Sequence, residues 1–206
     1  MNRILFPILA LALVIAGSCK APQETTYPDR DIYELKGDVR NVKVTVTGTG
    51  TDEQEYTLHF KKNGLCTRHK SDNLWKSSKI TSSAERNTDG RITVYRINEK
   101  KSKKAKVETK YTYDSEGRVT NTSSMWYGKT VITEKYEYNA DGRLTRIERN
   151  TLDFDTPVKE TIHLRNPKFD AMDNWVEREG LKINENGLDG TISESTFTVR
   201  REITYY

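Results

Sequence analysis

One phrase, repeated in the middle of this 206-residue chain, constrains the fold more than any other feature. Tyr111-Thr-Tyr113-Asp114-Ser-Glu-Gly117-Arg118-Val119 is followed, with its glycine 25 residues further on, by Tyr136-Glu-Tyr138-Asn139-Ala-Asp-Gly142-Arg143-Leu144. Tyrosines at i and i+2 share one face of a strand, and aromatic rings suit a pleated, half-buried surface. Asp or Asn then bonds its own backbone two residues on, and a glycine three positions later supplies a positive φ at little cost. Each phrase reads as one β-hairpin, a type I turn closed by a left-handed glycine.

Weaker copies extend the pattern. Phe60 to Gly64, Arg86 to Gly90 and Ile183 to Gly187 keep the turn glycine, and Phe169 to Asp173 places Asp where glycine is expected. The key positions 64, 90, 117, 142, 173 and 187 are separated by 26, 27, 25, 31 and 14 residues. The first three steps are regular, and the last two mark the end of an array. Elsewhere Val42, Val44 and Val46 alternate with Asn41, Lys43, Thr45 and Thr47, the mark of a half-buried strand. Strands are expected at Val39–Thr47, Glu55–Phe60, Leu65–His69, Lys79–Arg86, Ile92–Asn98, Lys106–Tyr113, Val119–Trp126, Thr130–Tyr138, Leu144–Asn150, Val158–Arg165, Trp175–Glu179 and Ile192–Tyr205. No segment after the leader has helical periodicity. The expected fold is all-β, an antiparallel meander of repeated hairpins forming a curved sheet or flattened open barrel. Charged residues make up 31% of the chain and hydrophobic residues 34%. Without the leader the hydrophobic share falls to roughly 30%, against a typical 45–50%, so a thin core follows.

The two full phrases resemble the YD repeat of Rhs-type bacterial surface proteins. Together with Leu35 to Val42, the Asp173-Asn174-Trp175 variant and the terminal Arg201 to Tyr206, they resemble small YD-repeat-like lipoproteins of the Bacteroides group. Long arrays of that repeat enclose a cargo; this array is too short for that, and the resemblance implies no activity.

Residues 1–18 read as a secretory signal: Arg3 precedes a short apolar run from Ile4 to Ala16 that is too short to span a bilayer. Ala16-Gly17-Ser18-Cys19 has the form of a lipobox, so Cys19 is the expected lipidation site, holding the chain to a membrane by acyl (palmitate-type) chains. Residues 19–32 are read as a lipidated tether and 33–206 as the β domain. The expected address is the cell envelope at the outer membrane, with the surface and periplasmic faces both open.

Chemistry is sparse. The lysines Lys100, Lys101, Lys103, Lys104 and Lys106 form the densest charge run, either a solvated hairpin tip or a contact for an acidic glycan. Tyr111, Tyr113, Tyr136 and Tyr138, with Trp126 and Trp175, form an aromatic ladder, either a core or a platform for a sugar or peptide. With a four-residue loop after Phe60, Phe60 would face Leu65 and His59 would face Cys66, two ligands for a metal or a base beside a thiol. The Asn87 to Gly90 and Asn139 to Gly142 turns resemble calcium loops but lack the closing Glu and the flanking helices. The Ser77, Ser78, Ser82, Ser83 cluster has no nucleophile-elbow context. A net charge of +4 is too mild for a nucleic-acid footprint. No catalytic residue, metal or cofactor is expected, and the partner is a membrane plus an unknown glycan or protein. The expected function is binding or scaffolding; the alternatives are a glycan-active hydrolase or a periplasmic carrier of an apolar ligand.

Overall fold

The computed structural model describes residues 26–48, 51–69, 80–99, 105–153 and 156–206. After a short 3-10 helix at Pro28–Tyr33 come twelve strands: β1 (Val39–Gly48), β2 (Thr51–Phe60), β3 (Cys66–Arg68), β4 (Ile80–Arg86), β5 (Ile92–Glu99), β6 (Ala105–Tyr113), β7 (Val119–Trp126), β8 (Lys129–Tyr138), β9 (Leu144–Asp153), β10 (Thr156–Phe169), β11 (Trp175–Asn186) and β12 (Ile192–Tyr205). They form one antiparallel sheet in the order β3-β2-β1-β12-β11-β10-β9-β8-β7-β6-β5-β4. The meander therefore runs from β4 to β12, and the N-terminal hairpin is added through a β1–β12 pairing, with Val42 opposite Ile203 and Val46 opposite Val199.

The hairpin phrase works as its chemistry dictates. At Gly90, Gly117 and Gly142 the glycine amide closes a turn onto the carbonyl of Asn87, Asp114 or Asn139 at 2.9–3.1 Å. Each glycine has φ between 74° and 81°, the left-handed region that costs an L-residue strain. Asp114 Oδ1 accepts the amides of Glu116 and Arg118 at 3.0 and 2.8 Å, and Asn87, Asn139 and Asp170 make the same pair of bonds. Asp173 takes the glycine position at φ 61°. The sixth copy differs: the left-handed glycine there is Gly190, and Gly190 N closes onto Asn186 O, a longer turn than the one expected at Gly187.

Neighbouring hairpins are locked by the rest of the phrase. The Tyr113 hydroxyl donates to Ile92 O at 2.6 Å and the Tyr138 hydroxyl to Val119 O at 2.8 Å, reaching the apolar residue that ends the preceding phrase. The arginine after each glycine lies over the aromatic ring of the next hairpin: Arg91 over Tyr113 at 5.7 Å, Arg118 over Tyr138 at 5.0 Å and Arg143 over Phe169 at 4.1 Å. Tyrosine and arginine are thus the rivets between repeats.

The sheet curls until one residue, Asp29, can reach both of its edge strands. Among the described residues no ladder joins β3 to β4. The buried Asp29 joins them instead, accepting the Cys66 amide at 2.8 Å and both terminal nitrogens of Arg86 at 2.6 and 2.9 Å. The ring of His69, just past β3, lies 4.3 Å from that of Tyr95 on β5. The interior holds two apolar clusters, one around Val42, Val44, Leu58, Phe60 and Trp175, the other around Ile92, Tyr95 and Ile97. Outward positions carry cross-strand ion pairs, including Lys43–Glu55 at 2.9 Å, Arg96–Glu108 at 2.6 Å, Arg146–Glu137 at 3.2 Å and Arg200–Glu177 at 2.8 Å. A lipid-facing barrel wall would be apolar there.

Residues 26–38 cross the mouth formed by the repeat turns. Tyr27 N bonds Asn63 O at 2.8 Å, Arg30 reaches Val39 O and Lys61 O at 3.0 and 3.1 Å, and Asn174 brackets Lys36 through its amide and carbonyl at 2.6 and 3.1 Å. The described end of the expected tether, residues 26–32, is therefore packed rather than free, because Asp29, Arg30 and Asp31 each find a partner on the mouth. Two left-handed glycines under this segment make a matched test. A methyl at Gly64 would run into the Tyr27 carbonyl oxygen, whereas at Gly90 it would make ordinary contacts with Pro28 Cδ at 3.5 Å and the Thr26 carbonyl oxygen at 3.7 Å. Gly90→Ala should cost about 1 kcal/mol of backbone strain, and Gly64→Ala clearly more, read as a lower thermal midpoint for the second variant. Equal midpoints would show that the segment does not press on this turn.

Candidate functional site

The inner wall between β7 and β11 is charged. Arg149 on β9 bonds Glu134 on β8 at 2.8 Å and Glu160 on β10 at 2.9 Å, and Lys182 on β11 reaches Glu160 at 3.5 Å. Glu134 also accepts the Thr122 hydroxyl at 2.8 Å and the Tyr136 hydroxyl at 2.5 Å. Burial alone would raise the Glu134 carboxyl, but the Arg149 charge and these hydrogen bonds outweigh it and hold the group below its usual value. Burial, reinforced by the Glu134 charge, pushes the Tyr136 phenol well up.

A second cluster lies under the capping segment. Glu34 Oε1 accepts the Leu144 amide at 3.0 Å, and Oε2 accepts the Trp175 indole N–H at 3.0 Å and Arg178 at 2.9 Å. Two guanidiniums lie over the Trp175 ring, Arg178 at 3.8 Å and Arg201 at 3.2 Å from its centroid. Arg201 has no ion-pair carboxylate among the described residues, and its buried Nε and Nη1 have no hydrogen-bond partner. Burial, together with the Arg178 charge, brings Arg201 down to about 9.

Beside this cluster the wall opens. β9 and β10 stay paired only as far as His163 opposite Arg146. Beyond that point Asn166 adopts φ 51°, and the β10–β11 register shifts between Arg165 and Lys168. Pro167 has no amide to return to a ladder, so the strand bends away. The resulting groove of about 350 Å³ is lined by Leu144, Leu164, Pro167, Phe169 and Trp175, with Glu34, Arg143, Arg165 and Arg178 around it. A smaller cleft of about 270 Å³ adjoins it beyond Trp175, under Lys36 and Asp173.

The sequence candidates are scattered over this frame. Tyr111, Tyr113, Tyr136 and Tyr138 are half-buried inner-face residues, and Trp175 is buried. Of the aromatic ladder only Trp126 is exposed, at the opposite mouth beside Tyr127. The rings therefore pack and brace the repeats and do not form an open platform. Lys106 is half-buried, with Nζ 6.0 Å from the Tyr127 ring. Lys100, Lys101, Lys103 and Lys104, and Cys19 with the leader, lie outside the described residues. The His59–Cys66 pairing does not form: Cys66 faces Phe60 and His59 faces Arg68, because a bulge between His59 and Phe60 shifts the register. His59 bonds Asn41 Oδ1 at 2.8 Å instead, so neither a metal site nor an activated thiol arises there.

Sequence reading missed Glu34, Arg178 and Arg201. One signal was present: Phe197, Val199, Ile203 and Tyr205 alternate along β12, and Arg201 interrupts that apolar face.

No protein-family model and no curated protein matches the chain. Among solved structures it is similar to a porin-like protein from Bacteroides uniformis, at 11% identity and a TM-score of 0.48, covering 88% of this chain and 100% of that one.

Proposed function

We propose that this chain is a lipid-anchored envelope protein of the YD-repeat-like kind whose β domain binds a ligand or partner without catalysing a reaction. One observation carries the non-catalytic part. Among the described residues Asp29, Glu34, Glu134 and Glu160 turn inward, and each sits against an arginine. A glycan hydrolase needs one carboxyl that keeps its proton at neutral pH, and Glu134 is driven the other way. The charged row across β8 to β11 is likewise a poor wall for a wholly apolar cargo, which weighs against the carrier reading.

The capping segment supports an orientation. Thr26, the first described residue, lies seven positions after Cys19 at the capped mouth. Seven residues span at most about 25 Å, so acylated Cys19 would hold the capped mouth close to the membrane. The opposite mouth, with the exposed Trp126, Tyr127, Leu188 and Ile192, would face away from it.

Cys19→Ser is the test of the anchor. The wild type should incorporate an alkyne fatty acid and partition into detergent, and the variant should do neither. A variant that keeps the label overturns the anchor. Protease shaving of intact cells then separates the surface face from the periplasmic one.

A further inference from the structure

The groove between β9 and β10 has a composition that selects a ligand class. Its floor is apolar and aromatic, from Leu164, Phe169 and Trp175, and its charges are mostly cationic. Its carboxylate is already committed: both Glu34 oxygens accept protein donors, and this single negative charge acts on both Arg178 and Arg201. At the entrance Arg143 is 44% exposed and its nearest carboxylate is Asp173 at 3.6 Å, which Lys36 also engages. Arg165 pairs with Glu179 at 3.5 Å and is more than half exposed. Two guanidiniums at the rim and a third, Arg178, in the wall thus face a pocket whose own anion is saturated, and Arg201 lies close by over the Trp175 ring.

We propose that this groove binds a small organic anion, a carboxylate carried on an aromatic or aliphatic body. The body would lie against Phe169, Trp175 and Leu164, and the carboxylate would meet Arg143 and Arg165. A guanidinium–carboxylate contact is a charge-assisted, planar match, stronger than a neutral hydrogen bond. The kink at Asn166-Pro167 is what holds the groove open, so the ligand meets a preformed site. Arg201, with two buried nitrogens unpartnered, adds positive potential that a bound anion would offset. The inference rests on the binding reading of the domain and is independent of the lipid anchor.

The experiment uses the full-length protein in a non-ionic detergent and two probes of one shape, 2-naphthoate and 2-naphthalenemethanol. Calorimetry should give one site for the acid, with the alcohol roughly tenfold weaker. Arg165→Gln changes an exposed side chain, so its thermal midpoint should hold; Arg143→Gln also gives up the contact over Phe169, so its midpoint should fall by a few degrees, while acid affinity falls several-fold in each. The alcohol should be indifferent to both substitutions. Equal affinity for acid and alcohol would overturn the anion assignment while leaving a binding groove. Acid binding untouched by either substitution, binding at several equivalent sites, or no binding of the acid would overturn the site itself. None of these outcomes bears on whether Cys19 carries a lipid, which its own variant decides.

Discussion

Asp29→Ala should lower the stability of the folded domain by about 3 kcal/mol or more, the usual cost of leaving one member of a buried ion pair alone. For a domain of this size that is a fall of roughly 6–12 °C in thermal midpoint. Asp29 is completely buried and accepts three hydrogen bonds, two from Arg86 and one from the Cys66 amide. Its removal strands a half-buried guanidinium, which also lies over the Tyr27 ring at 4.6 Å, and leaves the amide at the start of β3 unpaired. The consequence reaches beyond one contact, because Asp29 is the described link between the edge strands β3 and β4. Hydrogen exchange should therefore rise first at the amides of β3 and β4 and leave the centre of the sheet protected. A double variant, Asp29→Ala with Arg86→Met, should be more stable than Asp29→Ala alone, because it removes the orphaned charge. A midpoint within about 2 °C of the wild type for Asp29→Ala would mean that the edges are held by something other than this carboxylate.

The sheet was legible because its signals are local. Val119–Trp126 and Ile192–Tyr205 have the bounds their alternation predicts, and the turns at Gly90, Gly117 and Gly142 follow from three residue types at fixed spacing. What was not legible depends on residues far apart in sequence. The β1–β12 pairing joins the two ends of the domain. The Glu34 cluster joins residues 110 to 144 positions apart. Residues 26–32 read as the end of a tether because polar and charged residues dominate them, yet those side chains reach the repeat turns and hold the segment down. A one-residue bulge at the β2–β3 hairpin was enough to undo the His59–Cys66 pairing, since each step of register turns a side chain to the other face. The groove could not be foreseen for the same reason: Pro167 has no amide for a ladder, but what the bend uncovers depends on where Trp175 and Arg178 lie.

Raising the pH should unfold the domain in one cooperative step above pH 10, and the repeat itself is the cause. Burial, as the leading influence, raises the phenols of Tyr111, Tyr113, Tyr136, Tyr138 and Tyr205 above the ordinary value of 10.0, with Tyr138 and Tyr205 pushed up to about 12. In the unfolded chain these groups lose protons near pH 10; in the fold they keep them. Their contribution is therefore intact below pH 10 and is lost as the pH climbs toward the folded values. Arg201 has the opposite sign. Burial and the neighbouring Arg178 bring it to about 9 in the fold, so above that pH the unfolded chain binds one more proton there, offsetting one tyrosine of the five. Burial lowers Arg178 as well, in the same sense as Arg201, so a net difference of about three to four protons gives a slope of roughly 4–5 kcal/mol per pH unit. Set against a typical stability of about 5–15 kcal/mol, that exhausts the fold within about two pH units. Tyrosinate absorbance and far-ultraviolet circular dichroism, followed together, are the check. The buried phenols should ionise in the same step in which sheet signal is lost. Phenylalanine at Tyr113 and Tyr138 should shift that step to higher pH relative to each variant's own neutral-pH stability, because two of the groups that drive it are gone. Ionisation of all the tyrosines near pH 10 with the sheet signal intact would show that the rings are open to solvent and that the repeats are held together by something else.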